Sequence, residues 1–163
     1  VAEGAGAELL AIDAEGNLPE GGWDKLAAAD AIIFGTPTYM GGPSWQFKKF
    51  ADASSKAWFV RAWQDKVFGG FTNSASPVGD KGATMIQLQT LASQHGGIWV
   101  SLGVLPANTK AATHADANHL GGSVGLLVRS PADASVEEVP RGDLDTARAY
   151  GRRVAPIAAR LRG

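Results

Sequence analysis

The sequence predicts an α/β domain in which helices cover both faces of a doubly wound parallel sheet. Short apolar runs alternate along the chain with longer stretches of helical spacing, a pattern typical of strands joined by crossover helices. One run, Ala31–Gly35, has no polar residue, as expected for a strand buried on both faces. The length of 163 residues suits one core, so we expect a single domain over residues 1–163.

Strands are predicted wherever a short apolar run lies between turn-forming residues. The four runs are Ala7–Asp13, Ala31–Gly35, Lys66–Phe71 and Ile98–Leu102. The last of them is followed by a long polar loop, Pro106–Ser123, which ends among glycines.

Helices are predicted between and after these strands. Met85, Leu88 and Leu91 recur at intervals of three residues, which is helical spacing. Asp143 is expected to be the N-cap of the final helix, whose arginines lie toward its C-terminal part, where the helix dipole favours cations. The predicted helices are Trp23–Ala29, Ser44–Ser55, Gly82–Gln94 and Asp143–Leu161.

Composition excludes several classes of function. The 15 basic and 16 acidic residues give a net charge of −1, which favours neither nucleic acid nor an anionic membrane as a partner. The sequence has no cysteine, so it forms no disulfide, thiolate metal site or cysteine nucleophile. No apolar run is long enough to span a bilayer. We expect a cytoplasmic protein without a membrane span.

The common catalytic and nucleotide-binding motifs are absent. The sequence contains no G-x-S-x-G, G-x-x-x-x-G-K-[ST], G-x-G-x-x-G or H-E-x-x-H, and its histidines lack metal-ligand spacing. His95 is predicted to end a helix ahead of two glycines. His114 and His119 either border a cofactor or, as is commoner for loop histidines, are simply solvated. We expect no metal site.

The loop Thr36–Pro43 follows a buried strand at its carboxyl end, where ligands bind in doubly wound sheets. Two prolines and two glycines fix its path, so that backbone N–H groups can face a flat ligand. Tyr39 can stack on an aromatic ring, and Met40 can pack against it. A plain turn into the next helix explains the same residues, and the chemistry alone does not decide between the two.

A second loop, Thr72–Lys81, carries small hydroxyl and amide residues at the end of the next strand. These groups suit the carbonyls of a flavin or the hydroxyls of its ribityl chain, although composition alone favours an ordinary polar turn. Trp58 and Trp63 lie in the segment between helix and strand. They form a wall of the active-site mouth or, at least as readily, pack against a helix end.

Six stretches, taken together in their order, resemble the WrbA-type NAD(P)H:quinone oxidoreductases of the flavodoxin-like superfamily. They span nearly the whole chain: AIIFGTPTYMG (Ala31–Gly41), QFKKFADAS (Gln46–Ser54), KVFGGFTNSASPVGDK (Lys66–Lys81), LASQHGGIWVSLG (Leu91–Gly103), NHLGGSVG (Asn118–Gly125) and TARAYGRRVAPIAARL (Thr146–Leu161).

The resemblance implies a flavodoxin-like sheet of strand order 2-1-3-4-5 and FMN held without a covalent bond. NADH or NADPH would pass a hydride to the flavin, which would then give two electrons to a quinone. The cofactor carries the chemistry, so no catalytic side chain is required. A homo-oligomer, dimer or tetramer, is the implied assembly.

Site residues are implied by position in the same motifs. Trp58 falls where the family places an aromatic against the substrate, often from a neighbouring subunit. At Gln94 the family often has a histidine that approaches the flavin, and glutamine can still donate a hydrogen bond there. The implied cofactor-binding residues are Pro37, Thr38, Tyr39, Met40, Gly41, Thr72, Asn73, Ser74, Ala75, Ser76, Gly79 and Gln94.

The family begins with a strand, a Ser/Thr-rich loop that cradles the FMN phosphate, and a helix. The printed sequence starts at residues that resemble the end of that helix, so the first strand and the phosphate loop are absent from it. We expect about 25–30 further N-terminal residues in the native chain, the length of one strand, loop and helix. A true truncation, with the gap filled by a neighbouring chain, is the rival expectation.

Two other functions are compatible with the residues. A flavodoxin-type electron carrier would need an exposed flavin edge and usually an acidic docking surface, and the net charge of −1 argues against that surface. A regulatory homologue without flavin is supported only by the absent phosphate loop.

Overall fold

The computed structural model describes residues 6–161. Within this range the chain forms a five-stranded sheet with helices on both faces. The helices and strands in chain order are α1 (Gly22–Ala28), β1 (Ala31–Tyr39), β2 (Gly42–Pro43), α2 (Trp45–Ala53), α3 (Ser55–Phe59), β3 (Val67–Ser74), α4 (Lys81–Gln94), β4 (Ile98–Trp99), β5 (Leu126–Arg129), a 3-10 turn (Val136–Glu138) and α5 (Arg141–Leu161).

Strand β3 is the centre of the sheet. Along one edge it pairs in parallel with β1, from Val67 opposite Ala31 to Asn73 opposite Pro37. Its other edge is shared by two strands, because β4 pairs with its first residues and β5 with its last four. The predicted strand Ile98–Leu102 is therefore only the first part of a split strand, and its second part, β5, was not predicted.

The break between β4 and β5 is closed by a side chain from α5. The Tyr150 hydroxyl donates to Val100 O at 2.6 Å and accepts from Gly70 N at 3.2 Å. Gly69 makes room for it, since a Cβ there would lie 2.5 Å from the hydroxyl oxygen. Burial raises the pKa of Tyr150, so the hydroxyl keeps its proton and remains a donor.

The predicted strand Ala7–Asp13 is wrong. Residues 7–13 belong to no strand, and the Asp13 carboxylate instead accepts from the N–H groups of Glu15 and Asn17 to form a turn. A strand needs a neighbouring backbone, and beyond β3 the described residues give β1 only the short hairpin partner β2. In the implied order 2-1-3-4-5 the numbers refer to the strands of the family. The family's strands 3, 4 and 5 are present here as β1, β3 and the β4/β5 pair.

The helices confirm the alternating pattern but differ from it at their ends. Ser44 caps α2 by accepting from Phe47 N, and the predicted helix Ser44–Ser55 divides at Ser54 into α2 and α3. The final helix begins at Arg141, so the prediction of Asp143 as its N-cap is wrong.

Hydrophobic residues of the two sheet faces form two separate clusters, because side chains alternate between the faces along a strand. The α2/α4 face is aromatic, with Phe34, Phe50, Trp63 and Phe68 buried together, and the α5 face is mostly aliphatic. Trp63 is completely buried, so it cannot form a wall of an active-site mouth. None of the helices within residues 6–161 has both the length and the apolar character needed to cross a membrane.

Candidate functional site

The two loops singled out in the sequence meet at the carboxyl end of the sheet. Thr38 Oγ1 lies 2.7 Å from Thr72 Oγ1 and donates to Thr84 Oγ1 at 2.8 Å. All three side chains are buried. A network of three hydroxyl groups therefore fixes the end of β1 against the end of β3 and the first turns of α4.

The first loop is a tight hairpin. Strand β1 continues through Tyr39, and β2 pairs with it in antiparallel register. The two connecting residues, Met40 and Gly41, have φ values of 47° and 80°, the left-handed conformations that a type I′ turn requires. Tyr39 is 65% exposed and Met40 fully exposed, so the hairpin presents two apolar side chains to the solvent.

The second loop is held by bonds within itself and to Ser130, the residue after β5. The Asn73 amide donates to Ser130 Oγ at 2.7 Å and accepts from Ser130 N at 3.1 Å. Gly79 has a φ of 50°, and a Cβ on it would collide with Ser74 Oγ and lie 3.0 Å from Ser76 O. This position therefore requires glycine.

Lys81 is the last residue of the second loop and the first residue of α4, and sequence analysis did not identify it as a site residue. Its side chain holds the second loop in place. Its ammonium group donates to Ser76 O at 2.5 Å and to Pro77 O at 3.2 Å, and the residue is only 1% exposed. Burial lowers the pKa of Lys81, and the Asp143 carboxylate opposes that shift. A lysine at a predicted helix start gives no sequence signal, since lysines are usually exposed.

Two predicted residues lie apart from these loops. Gln94 is exposed at the last turn of α4, about 20 Å along the helix from the second loop. It is not brought together with the other predicted residues within one chain, because α4 runs back toward the start of the sheet. Trp58 lies in α3, where it is 54% exposed beside the more exposed Phe59 and Val60.

His95 is the C-cap of α4, as its sequence position predicted. The centroid of its ring lies 4.3 Å from that of the Trp63 ring. Its Nε2 shares a hydrogen bond of 2.9 Å with Ser54 Oγ. Burial lowers the pKa of His95, which favours the neutral imidazole. It is thus a core residue at the opposite end of the sheet from the loops.

A cavity of about 530 Å³ lies between the second loop and the segment that separates β4 from β5. Its wall is apolar at Pro77, Leu120 and Leu127 and polar at Lys81, His114 and His119. None of the predicted cofactor-binding residues lines it. This volume is within the range of ordinary small-molecule sites.

His119 is buried between this cavity and α5. Its Nδ1 is 3.3 Å from Asp143 Oδ1, and the two side chains are 6% and 2% exposed. The contact is at ion-pair distance but is not aligned as a hydrogen bond, and neither ring nitrogen has a hydrogen-bond partner among the described residues. The expectation of a solvated loop residue is right for His114 and wrong for His119.

Asp143 supports this imidazole from α5. Its Oδ2 accepts from Arg129 N at 2.9 Å, which leaves Oδ1 facing His119. Burial raises the pKa of Asp143, while the Arg129 N–H and the nearby charges of His119 and Lys81 act in the opposite direction.

Asn118 sets the position of His119. Its backbone N–H donates to Thr146 Oγ1 at 2.7 Å, and its amide donates to Val104 O at 2.7 Å and Gly122 O at 3.0 Å. The residue is buried with a φ of 53°. The segment from 103 to 123 is therefore anchored on α5 immediately beside the histidine.

Comparisons with known proteins agree with the fold. The sequence profile of a family described as NADPH-dependent FMN reductase matches residues 22–112. Flavodoxin FldP of Pseudomonas aeruginosa (strain UCBPP-PA14) is 63% identical over 160 residues, which are 98% of this chain and 87% of that protein. An NAD(P)H dehydrogenase (quinone) of Geobacter sulfurreducens is 36% identical over 148 residues, 90% of this chain and 70% of that protein.

A solved structure gives the same result. The crystal structure of the flavodoxin, WrbA-like protein from Agrobacterium tumefaciens superimposes with a TM-score of 0.74 at 58% identity, covering 93% of this chain and 80% of that one. The resemblance found in the sequence motifs is thereby confirmed. The chain belongs to the NADPH-dependent FMN reductase family of oxidoreductases, within the flavodoxin-like superfamily.

Proposed function

We propose that this protein binds FMN and uses it to reduce quinones by two electrons taken from NADH or NADPH. The observation that carries the proposal is the Thr38–Thr72–Thr84 network, which holds the two signature loops side by side at the carboxyl end of the sheet. Relatives named NAD(P)H dehydrogenase (quinone), such as the Geobacter protein, support the choice of substrate.

The residues present fit the flavin ring. The exposed Tyr39 and Met40 give the hairpin an apolar surface for a flat ring, flanked by Pro37, Thr38 and Gly41. In the second loop the side chains are small, which leaves its backbone accessible to polar atoms of the ring edge and ribityl chain. The residues of that loop that we assign to the flavin are Thr72, Asn73, Ser74, Ala75, Ser76 and Gly79.

When bound, FMN supplies hydride chemistry, and the chain's residues orient and shield it. The hairpin and the second loop keep their relative position through three buried hydroxyls, so the ring-binding surface is organised before a ligand arrives. Gln94 is left out of the proposed site because of its place on α4.

We also propose a homo-oligomer in which Trp58 of one subunit faces the substrate of another. The exposed Trp58, Phe59 and Val60 form an apolar patch on and just after α3, of the kind that marks protein contacts. Light scattering on the purified protein should give a dimer or tetramer, and a monomer would contradict this assembly.

The test of function uses the protein expressed at the full length of its gene. We expect a flavin absorbance spectrum, and consumption of NADH or NADPH that depends on an added quinone such as menadione. Thr38→Val removes the central hydroxyl of the network at nearly constant shape, and FMN should then bind about tenfold more weakly. Thr90→Val is the matched control, since Thr90 is exposed on α4.

A flavodoxin-type electron carrier is the second candidate, favoured by the name of the 63% identical relative. It would give the yellow protein without NAD(P)H-driven quinone turnover, and it would accept electrons from a separate reductase. A protein that stays colourless after FMN is added would contradict both candidates and would favour a flavin-free regulatory homologue.

A further inference from the structure

The cavity between the second loop and the segment 103–123 has one lysine and two histidines in its wall. Lys81 is the only lining residue with a fixed charge among those that the structure describes, and that charge is positive. An ammonium group has three N–H donors, and the two carbonyls bound to Lys81 use two of them. The third donor has no hydrogen-bond partner among the described residues.

His119 provides a second unused group. Its ring is nine-tenths buried on the cavity wall, and its Nε2 makes no hydrogen bond to any described residue. A buried polar atom without a partner costs free energy, which a ligand atom can recover. The Asp143 carboxylate lies on the Nδ1 side, so Nε2 is the ring nitrogen left for a ligand, and it donates when it carries the hydrogen.

The charges around these two groups favour an anion. Lys81 and Arg129 are positive, and Asp143 is the one carboxylate among them, with one oxygen occupied by Arg129 N and the other turned toward His119. Asp116 lies outside the cavity wall, where its exposed carboxylate accepts from Thr113. A negative ligand group would thus meet two donors and a net positive surrounding.

We propose that this cavity binds a small organic anion, with its carboxylate between His119 Nε2 and Lys81 Nζ. Pro77, Leu120 and Leu127 form the apolar wall for its body. Although Pro77 and Lys81 belong to the second loop, the site has its own residues, because none of the residues assigned to the flavin lines the cavity. It therefore does not depend on the proposed function.

The experiment uses the full-length protein saturated with FMN, with 2-naphthoate as the probe and 2-naphthamide as its uncharged counterpart. Imidazole ¹H–¹⁵N NMR spectra report on His119, and calorimetry gives the affinity. We expect 2-naphthoate to shift the His119 signals and to bind about tenfold or more tightly than the amide, because a charge-assisted hydrogen bond is lost in the amide. Omitting FMN should leave this binding unchanged.

Two variants sharpen the result. His119→Gln should weaken 2-naphthoate binding about tenfold without altering the flavin spectrum. Lys110→Gln removes a positive charge from the same segment but not from the cavity wall, and it should bind the probe as the native protein does. Equal binding of acid and amide, no effect of H119Q, or no shift of His119 would each overturn the proposal. If H119Q does not fold, the comparison of acid with amide still decides.

Discussion

Two regions share the carboxyl end of this sheet and are built in different ways. The signature loops, Thr36–Pro43 and Thr72–Lys81, follow adjacent parallel strands and are joined by the threonine network. The cavity wall takes Lys81 from α4 and His119 from the segment 103–123, and Asp143 of α5 contacts His119. A site of the first kind can be found in contiguous motifs, whereas a site of the second kind exists only after distant segments dock.

The two regions also differ in what holds them. The position of the signature loops is fixed by the paired backbones of β1 and β3, which they follow. The wall around His119 depends on one contact zone, where Asn118 bonds to Thr146 and the backbone of the segment rests on Gly142. Substitutions at that zone should therefore disturb the cavity and spare the signature loops.

The largest effect is expected from Gly142→Ala. A Cβ on Gly142 would lie 2.7 Å from His114 O and closer still to Asp116 O, so the segment must move off α5. We expect a loss of about 3 kcal/mol in the free energy of unfolding, measured with urea, and displaced His119 NMR signals. FMN binding should be retained.

The control for this change is Gly82→Ala, because a Cβ on Gly82 in α4 meets no atom within 4 Å. It should leave stability unchanged or raise it by up to about 1 kcal/mol. A G142A protein as stable as the native one would show that the segment does not rest on α5 as described.

A middle effect is expected at the boundary between the two regions, where Tyr150 closes the break between β4 and β5. Tyr150→Phe removes one hydroxyl and leaves Val100 O and Gly70 N without their partner. The cost should be about 2 kcal/mol of unfolding free energy, measured by denaturant titration. Tyr39→Phe, on the exposed hairpin, should change stability by less than about 0.5 kcal/mol. Equal stability of the two variants would contradict the bridging role.

The smallest effect is expected at His95, which lies at the opposite end of the sheet from both regions. Since burial lowers the pKa of His95 below its ordinary value of 6.5, the unfolded chain binds more protons there than the folded one. Its contribution to stability is complete above pH 6.5 and is lost as the pH falls from 6.5 toward the folded pKa. His95→Gln should flatten this decline in urea titrations at a series of pH values. If the unfolding free energy of H95Q falls with pH as steeply as that of the native protein, His95 is not the source of this pH dependence.

The alternating pattern and the motifs predicted the sheet, the main helices and the two signature loops. The strand Ala7–Asp13 failed because its apolar residues specify a strand only if another backbone lies beside them. Strand β5 was missed because four residues after a run of glycines carry little periodicity. Asp143 looked like an N-cap because sequence position does not reveal that its carboxylate turns inward to Arg129 and His119.

The sequence by itself determined the family, the parallel sheet and the loops proposed for the flavin, since each of these depends on neighbours along the chain. Only the tertiary structure decided that His119 is buried, that Lys81 supports a loop and that Gln94 lies at the far end of α4. Burial and pairing depend on which distant segments pack together, and local residue patterns do not encode those distances.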